Sequence, residues 1–482
     1  MTDLHELLEI PVFHYFGELS KIPHGSRNTK EISDYIVSFA KAHDLKYIQD
    51  DANNVIIYKP ATPGYESAPT VIIQGHCDMV CEKKPGSDHD FFKDPLDLAI
   101  EGDHLYAKDT TLGGDDGIAV AAAMAILADD ALQHPALEVV VTTDEEIGLL
   151  GAAVLDTSVL KGKIMLNMDS EDEGHFVTGC AGGMTAVSTV PVKYHMAEGQ
   201  AFELLLTGLN GGHSGVEIDK KRANANAVMG RILYTIGQSL PYSIVQMAGG
   251  LKDNAIPREC RCVIVTESGQ EQVLRDLLEN LNQDLLKEYQ GSDDGIRIVV
   301  TDQGCKEYSA LDPSSRERLV FYLMNVPTGI QKMSAQIENL VETSTNLGIF
   351  NLLEDSFVAS SSVRSSVTSG KNALADKIHY LTEFLGGEFT VQGAYPAWEY
   401  NAVSPLRDKM VALYEEMEGK KPVVEVIHAG LECGLFYDAI QGLDCVSYGP
   451  DMLNIHTTEE KLSISSVKRI YDYTVKLLEL LK

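Results

Sequence analysis

The chain has 482 residues, 44% of them hydrophobic and 23% charged, with a formal net charge of −32. That length exceeds what one hydrophobic core fills, so two or three domains are expected, and the composition is that of an ordinary globular protein. So large a negative charge argues against nucleic acid as a partner, because a phosphate backbone needs clustered Lys and Arg.

In chain order, the N-terminal stretch MTDLHELLEIPVFHYFGEL has acidic residues where a signal peptide is basic, and no apolar segment follows, so export is not expected. Helical apolar spacing marks Val12 to Phe16 and Ile32 to His43, and short β-rich runs mark Asn54 to Tyr58 and Thr70 to Gln74. Gly117 to Leu127 reads as an Ala-rich buried helix. The run from Gly117 to Ala128 is too short to span a bilayer, so the expectation is a soluble, cytoplasmic protein with no membrane partner. Leu137 to Thr143 (LEVVVTT) and Gly162 to Met168 (GKIMLNM) are continuous apolar strands, as in a sheet covered by helices on both faces.

The character changes after Gly179-Cys180-Ala181-Gly182-Gly183. From Thr185 to about Gln392, alternating strands such as Ala201 to Thr207 and Cys260 to Thr266 accompany amphipathic helices such as Glu271 to Tyr289, which predicts an α+β domain long enough for two small sheet units. Beyond Tyr395 the α/β pattern resumes, with a helix near Pro405 to Met417, the segment IHAGLECGLF, a strand at Cys445 to Tyr448 and a final helix from Ile464 to Leu481. The expected fold class is α/β: a three-layer α/β/α domain made from residues 1–185 and 393–482, interrupted by a large inserted α+β domain at 186–392. Such insertions are tolerated because the two ends of a domain segment usually lie close together at its surface. Neither Cys77 with Cys81 nor Cys260 with Cys262 has zinc-finger spacing, so these read as ordinary thiols.

Three acidic segments, GHCDMV at 75–80, GGDDG at 113–117 and TTDEEIG at 142–148, gather metal-binding side chains, two of them at the ends of apolar strands. Carboxyl ends of strands are where ligands collect in α/β sheets. His76 and Asp78 are two residues apart, so both side chains can face one way and the carboxylate can orient the imidazole. Of Asp115 and Asp116, one suits a helix N-cap and the other a carboxylate bridging two metals about 3.5–4 Å apart. Glu145 and Glu146 leave their strand on opposite sides if it stays extended, which lets one bind metal while the other faces the substrate. Asp169 and the distant His456 are the remaining candidates. With His76, Asp115, Glu146, Asp169 and His456 as ligands, three carboxylates and a bridging hydroxide neutralise two +2 ions, a balance that favours an acidic metal-bound water.

These motifs in this order resemble the M20 metallopeptidase family, and most closely its PepD-type branch, the cytosolic nonspecific or aminoacyl-histidine (Xaa-His) dipeptidases. GHCDMV, TTLGGDDGIAVA, TTDEEIGLLGA, NMDSEDEG, GGHSGVEI and NIHTTEEKLSI carry the resemblance over nearly the whole chain. Many M20 members have Lys before the glycine that follows the bridging Asp; Asp115-Asp116-Gly117 lacks it, which fits the dipeptidase branch better than the deacetylases or carboxypeptidases. The resemblance implies that His76 and Asp169 hold one metal, Glu146 and His456 the other, that Asp115 bridges them, that Glu145 is the general base and that Asp78 orients His76. It also implies that the inserted domain is a lid with a dimerisation role, placing His213, Asn254, Arg364, His428 and Gly430 at the substrate. The implied activity is hydrolysis of dipeptides such as β-alanyl-histidine in a homodimer with two divalent ions, zinc first and cobalt or manganese next, since His and carboxylate accept all three. The alternatives are an N-acyl amino acid hydrolase or aminopeptidase of the same family, and a metal-binding homologue without turnover, against which the presence of Glu145 argues.

Overall fold

The computed structural model describes residues 3–482, which form two compact units. The first contains the chain up to Cys180, Tyr400–Val426 and Leu431–Lys482; the second contains Ala181–Glu399 and the short return Ile427–Gly430. His428 and Gly430 therefore group with the second unit, whereas the sequence pattern places them with the α/β segments.

The first unit is built on an eight-stranded mixed sheet in the order Lys46–Gln49, Val55–Lys59, Leu137–Thr142, Val71–His76, Ile164–Asn167, Asp444–Ser447, His175–Cys180 and Val423–Ile427. Its four central strands, from Leu137–Thr142 to Asp444–Ser447, run parallel, and antiparallel strands flank them. Every residue of Leu137–Thr142 and Val71–His76 is buried, as expected of parallel strands sandwiched between helices. Val71, Ile73, Val139, Val141 and Leu166 join one core with helices Pro11–Leu19, Lys30–Ala42, Gly114–Ala128, Pro405–Glu418 and Ile464–Leu480. The opposite face carries Ile72, Gln74 and Val140 and is covered in part by helix Glu432–Ala439, whose Glu432 reaches Gln74. Alternation along each strand thus supplies both layers of the α/β/α stack. A small four-stranded antiparallel sheet (Met452–Leu453, Lys461–Ser463, His104–Ala107, Leu98–Glu101) was not anticipated; its strands are too short to show a period.

The second unit is α+β, but it holds one nine-stranded antiparallel sheet rather than two small ones. Arg297–Leu311, Tyr194–Thr207, Cys260–Thr266 and Tyr242–Gly249 form one half; Val341–Leu352, Ser356–Ser365, Gly182–Pro191 and Glu388–Tyr395 form the other, with Gly329–Met333 paired to Val341–Leu352. Only Ala248 with Asn351 and Gly249 with Phe350 are in register across the join between Tyr242–Gly249 and Val341–Leu352, a link no sequence period reports. Helices Ala225–Gly237, Glu271–Glu288 and Pro313–Asn325 pack on the sheet around Phe202, Ile244, Leu278 and Phe350. No helix among the described residues is long and apolar enough to cross a membrane.

Candidate metal centre and a second histidine-arginine cluster

The ends of three neighbouring parallel strands deliver most of the acidic groups. Val71–His76 ends on His76, Leu137–Thr142 runs into Glu145 and Glu146, and Ile164–Asn167 runs into Asp169. In-register pairing of His76 with Thr142 and of Gln74 with Asn167 puts these ends at one level. Asp115 and Asp116 lie in the non-helical first turn of Gly114–Ala128, joined by a cis peptide bond.

Asp115 occupies the middle of the group. Its Oδ1 is 3.1 Å from His76 Nε2, and its Oδ2 is 3.0 Å from His456 Nε2. His456 Nε2 is also 3.0 Å from Glu146 Oε1, and His76 Nε2 is 3.6 Å from Asp169 Oδ1. The chain of contacts runs Asp169, His76, Asp115, His456, Glu146, with one carboxylate turned to both histidines. Ligand atoms of Asp115, Glu146 and His456 lie within 4.8 Å of one another, as do those of His76, Asp116 and Asp169 and those of His76, Glu145 and Glu146. Ions bound by nitrogen and oxygen at about 2.0–2.2 Å fit such spacings.

Electrostatics agree with that donor set. Burial works against ionising Asp115, but hydrogen bonds with His456 and His76 outweigh it and hold the carboxyl well below its usual range. The contacts of His456 with Asp115 and Glu146 push its imidazole up to about 11. Burial lifts Asp169 to about 7 and Glu145 well above the usual carboxylate range, the latter with help from Asp169, Glu432 and Glu146. A buried excess of carboxylates is the environment that divalent cations neutralise.

Asp78 sits behind the group. Its carboxylate accepts the N–H of Glu145 at 3.0 Å, that of Glu146 at 3.4 Å and the hydroxyl of Ser26 at 2.8 Å, fixing the turn that carries both glutamates. The atom nearest His76 Nδ1 is the Asp78 carbonyl oxygen at 3.0 Å, with the carboxylate at 3.5 Å, so the backbone shares in orienting the ring. The strand does not stay extended as far as Glu145 and Glu146: it ends at Thr142 and Asp144 is left-handed, so a turn aims them. Asp116 is the more buried of its pair; its Oδ2 accepts the His76 N–H at 3.2 Å, and a Cβ on Gly75 would lie 2.5 Å from that oxygen. The carboxylate of Glu460, which sequence reasoning missed, accepts the N–H groups of Leu112, Gly113 and Gly114 at 2.7, 3.2 and 2.9 Å. It pins the segment bearing His456 to the turn bearing Asp115. Also missed was a buried polar layer one pleat below the site: Glu432 Oε2 accepts from Gln74 and Thr142 at 2.5 and 2.6 Å, and Asn167 donates to Gln74 at 2.6 Å. The only signal for it was polar Gln74, Thr142 and Asn167 closing otherwise apolar strands.

The other five candidates all lie in the second unit. Arg364 donates to the Tyr395 hydroxyl at 3.0 Å, and a Cβ on Gly430 would meet the Tyr395 ring at 2.6 Å. Ser344, in register with Arg364, bonds His428 Nε2 at 2.7 Å. Burial, then Arg364 and His213, depress the His428 imidazole to about 3, while burial and Arg364 lower His213. His213 Nδ1 accepts the N–H groups of Gly215 and Val216 at 3.3 and 3.2 Å, leaving its proton on Nε2. His213 pairs with Ala255 in a two-stranded ribbon, and the Asn254 carbonyl accepts the Ser214 N–H at 2.8 Å.

Residues 72–480 match the model of peptidase family M20/M25/M40. The chain belongs to that family and is a hydrolase acting on peptide bonds. It is 35% identical over 484 residues to the cytosol non-specific dipeptidase of Escherichia coli (strain K12), covering 100% of this chain and 99% of that protein. The crystal structure of aminoacylhistidine dipeptidase from Vibrio alginolyticus superposes with a TM-score of 0.91 at 35% identity, covering 100% of this chain and 98% of that one. Aminopeptidase PepT from Bacillus cereus shares the fold, with a TM-score of 0.56 at 15% identity and 98% of each chain covered. M20 membership and the clustered His and carboxylate groups mark a metallopeptidase.

Proposed function

We propose that this protein hydrolyses dipeptides, Xaa-His among them, at a two-metal site. The single observation that carries the reading is Asp115, whose two carboxylate oxygens each face a different histidine. His76 and Asp169 would hold one ion, Glu146 and His456 the other, and Asp115 both. Two divalent ions held there supply Lewis acidity, polarising the scissile carbonyl and making water acidic enough to attack at neutral pH.

The chain's own groups do the rest. Glu145, whose carboxyl burial raises above the usual carboxylate range, takes a proton from the attacking water and returns it to the leaving amine. Asp78 holds Glu145 and Glu146 in place through their backbone N–H groups. In the second unit, the lid of this reading, His213 donates from Nε2 to the oxygen on which charge develops, Arg364 pairs with the substrate carboxylate, and Asn254, His428 and Gly430 shape its surroundings. Zinc is the proposed native ion, ahead of cobalt and manganese, and a homodimer in the cytoplasm is the proposed state; the 35% identity to a cytosol dipeptidase supports the location.

The test is a hydrolysis panel of β-alanyl-histidine, ordinary dipeptides, tripeptides and acetylated amino acids, with and without chelator. Dipeptide turnover lost on chelation and regained with zinc, cobalt or manganese supports the reading. Preference for the tripeptides or acetylated substrates sinks it. Glu145→Gln should keep both ions by elemental analysis while turnover falls ~10²-fold or more.

A further inference from the structure

Three strands of the second unit set one tyrosine across from one arginine. Arg364 on Ser356–Ser365 is in register with Gly183 on Gly182–Pro191, and Gly183 with Tyr395 on Glu388–Tyr395, so the three positions form a row on one face of the sheet. Position 183 carries no side chain, and the Tyr395 ring takes the space: a Cβ there would lie 2.4 Å from the Tyr395 hydroxyl oxygen. From that place the hydroxyl accepts from Arg364 Nη1 at 3.0 Å. The tyrosine is held on other sides too. A Cβ on Gly430 would meet the ring at 2.6 Å, and the buried Lys371 donates from Nζ to the Tyr395 carbonyl. Arg364 is only 8% exposed, and its Nε has no hydrogen-bond partner among the described residues. A guanidinium can only donate, and burying one without a counter-ion is costly, so this row is built to receive an anion.

Resting on the dipeptidase reading, in which Arg364 pairs with the substrate carboxylate, we propose that Tyr395 is a positioning residue: its hydroxyl anchors Nη1 and keeps the remaining guanidinium N–H groups turned to that carboxylate. The choice of a phenol follows from charge. An Asp or Glu in its place would form an ion pair with the guanidinium and compete with the substrate for it, whereas a neutral hydroxyl accepts one hydrogen bond and leaves the positive charge in force. The choice of a ring follows from stiffness. Tyrosine has two side-chain torsions, and here the places where Gly183 and Gly430 lack side chains fix its ring; a long Arg side chain left alone would lose its rotamer freedom each time substrate arrives. Gly183 belongs to the same arrangement, because any side chain there would drive the hydroxyl away from Arg364.

The experiment compares full-length, metal-loaded wild type with Tyr395→Phe, which removes the hydroxyl and keeps the ring. Hydrolysis of Ala-Leu gives kcat and KM, and competitive inhibition by leucine and by leucinamide separates binding with the terminal carboxylate from binding without it. Tyr395→Phe should raise KM for Ala-Leu by ~10-fold with kcat within ~2-fold of wild type, weaken inhibition by leucine by ~10-fold and leave inhibition by leucinamide within ~2-fold. A residue with a merely structural role would instead lower kcat or weaken both inhibitors alike, and either result overturns the positioning role. An unchanged KM together with unchanged inhibition by leucine overturns it as well. A wild type that binds leucine no better than leucinamide, or that cleaves no dipeptide, overturns instead the reading on which the proposal rests.

Discussion

Glu460 joins two segments of the candidate metal centre that are more than 340 residues apart, the Asp115 turn and the His456 loop. Its buried carboxylate accepts three successive backbone N–H groups, two on Oε2 and one on Oε1. Glu460→Gln keeps one acceptor oxygen and turns an amino group toward a donor, so at least one N–H loses its partner; a hydrogen bond to a charged group contributes ~1.5–3 kcal/mol, and the expected loss is about 2 kcal/mol. Glu460→Ala orphans all three N–H groups unless water enters, for about 4 kcal/mol. For a unit of this size about 2 °C of melting temperature accompanies each kcal/mol, so shifts of about 4 and 8 °C are expected by scanning calorimetry. His456 lies only four residues before Glu460, so freeing the carboxylate should move its imidazole. A displacement of ~1 Å should cost ~10²-fold in kcat and lower the bound-ion count by elemental analysis. If Glu460→Ala melts within ~0.5 kcal/mol of wild type and keeps its turnover, the carboxylate is not what aligns the two segments.

Other outcomes follow from buried groups elsewhere. Burial lifts Glu432 to about 7, above its value in the unfolded chain, so the stability it contributes is present in acid and lost as pH rises through about 7. In metal-free protein, Glu432→Gln should therefore melt progressively higher relative to wild type between pH 5 and 8, and a pH-independent difference would contradict the assignment. At Gly151 an added Cβ would lie 2.2 Å from the Thr143 carbonyl and 2.5 Å from Asn54 Oδ1. Gly151→Ala should destabilise by ~2 kcal/mol or more and, by shifting the turn that carries Glu145 and Glu146, reduce turnover further than the melting temperature alone explains.

The legible part of the fold was the part whose signal is local. Leu137–Thr142, Val71–His76 and Gly114–Ala128 announce themselves by the apolar runs VVV, VII and GIAVAAAMAILA within them, because an element buried all round has little polar face to interrupt it. The second unit was read as α+β, but its continuous sheet was not, since two registered pairs between Tyr242–Gly249 and Val341–Leu352 leave no trace in either strand's pattern. The short strands near residues 98–107 and 452–463 escaped for want of length.

The same division holds at the site. Residue type and strand-end position alone nominated His76, Asp78, Glu145, Glu146 and Asp169, because carboxylates ending apolar strands need a chemical reason to be there, and the Gly-rich turn before the Ala-rich helix nominated the pair Asp115 and Asp116 without choosing between them. What only the tertiary structure decided is which atoms face each other: that Asp115 rather than Asp116 reaches both histidines, that a turn and not a strand aims the two glutamates, and that Glu460 and Glu432 lock the arrangement from behind. Sequence specifies what a side chain can bond, but a hydrogen bond between residues hundreds of positions apart exists only once packing has fixed both backbones to within fractions of an ångström.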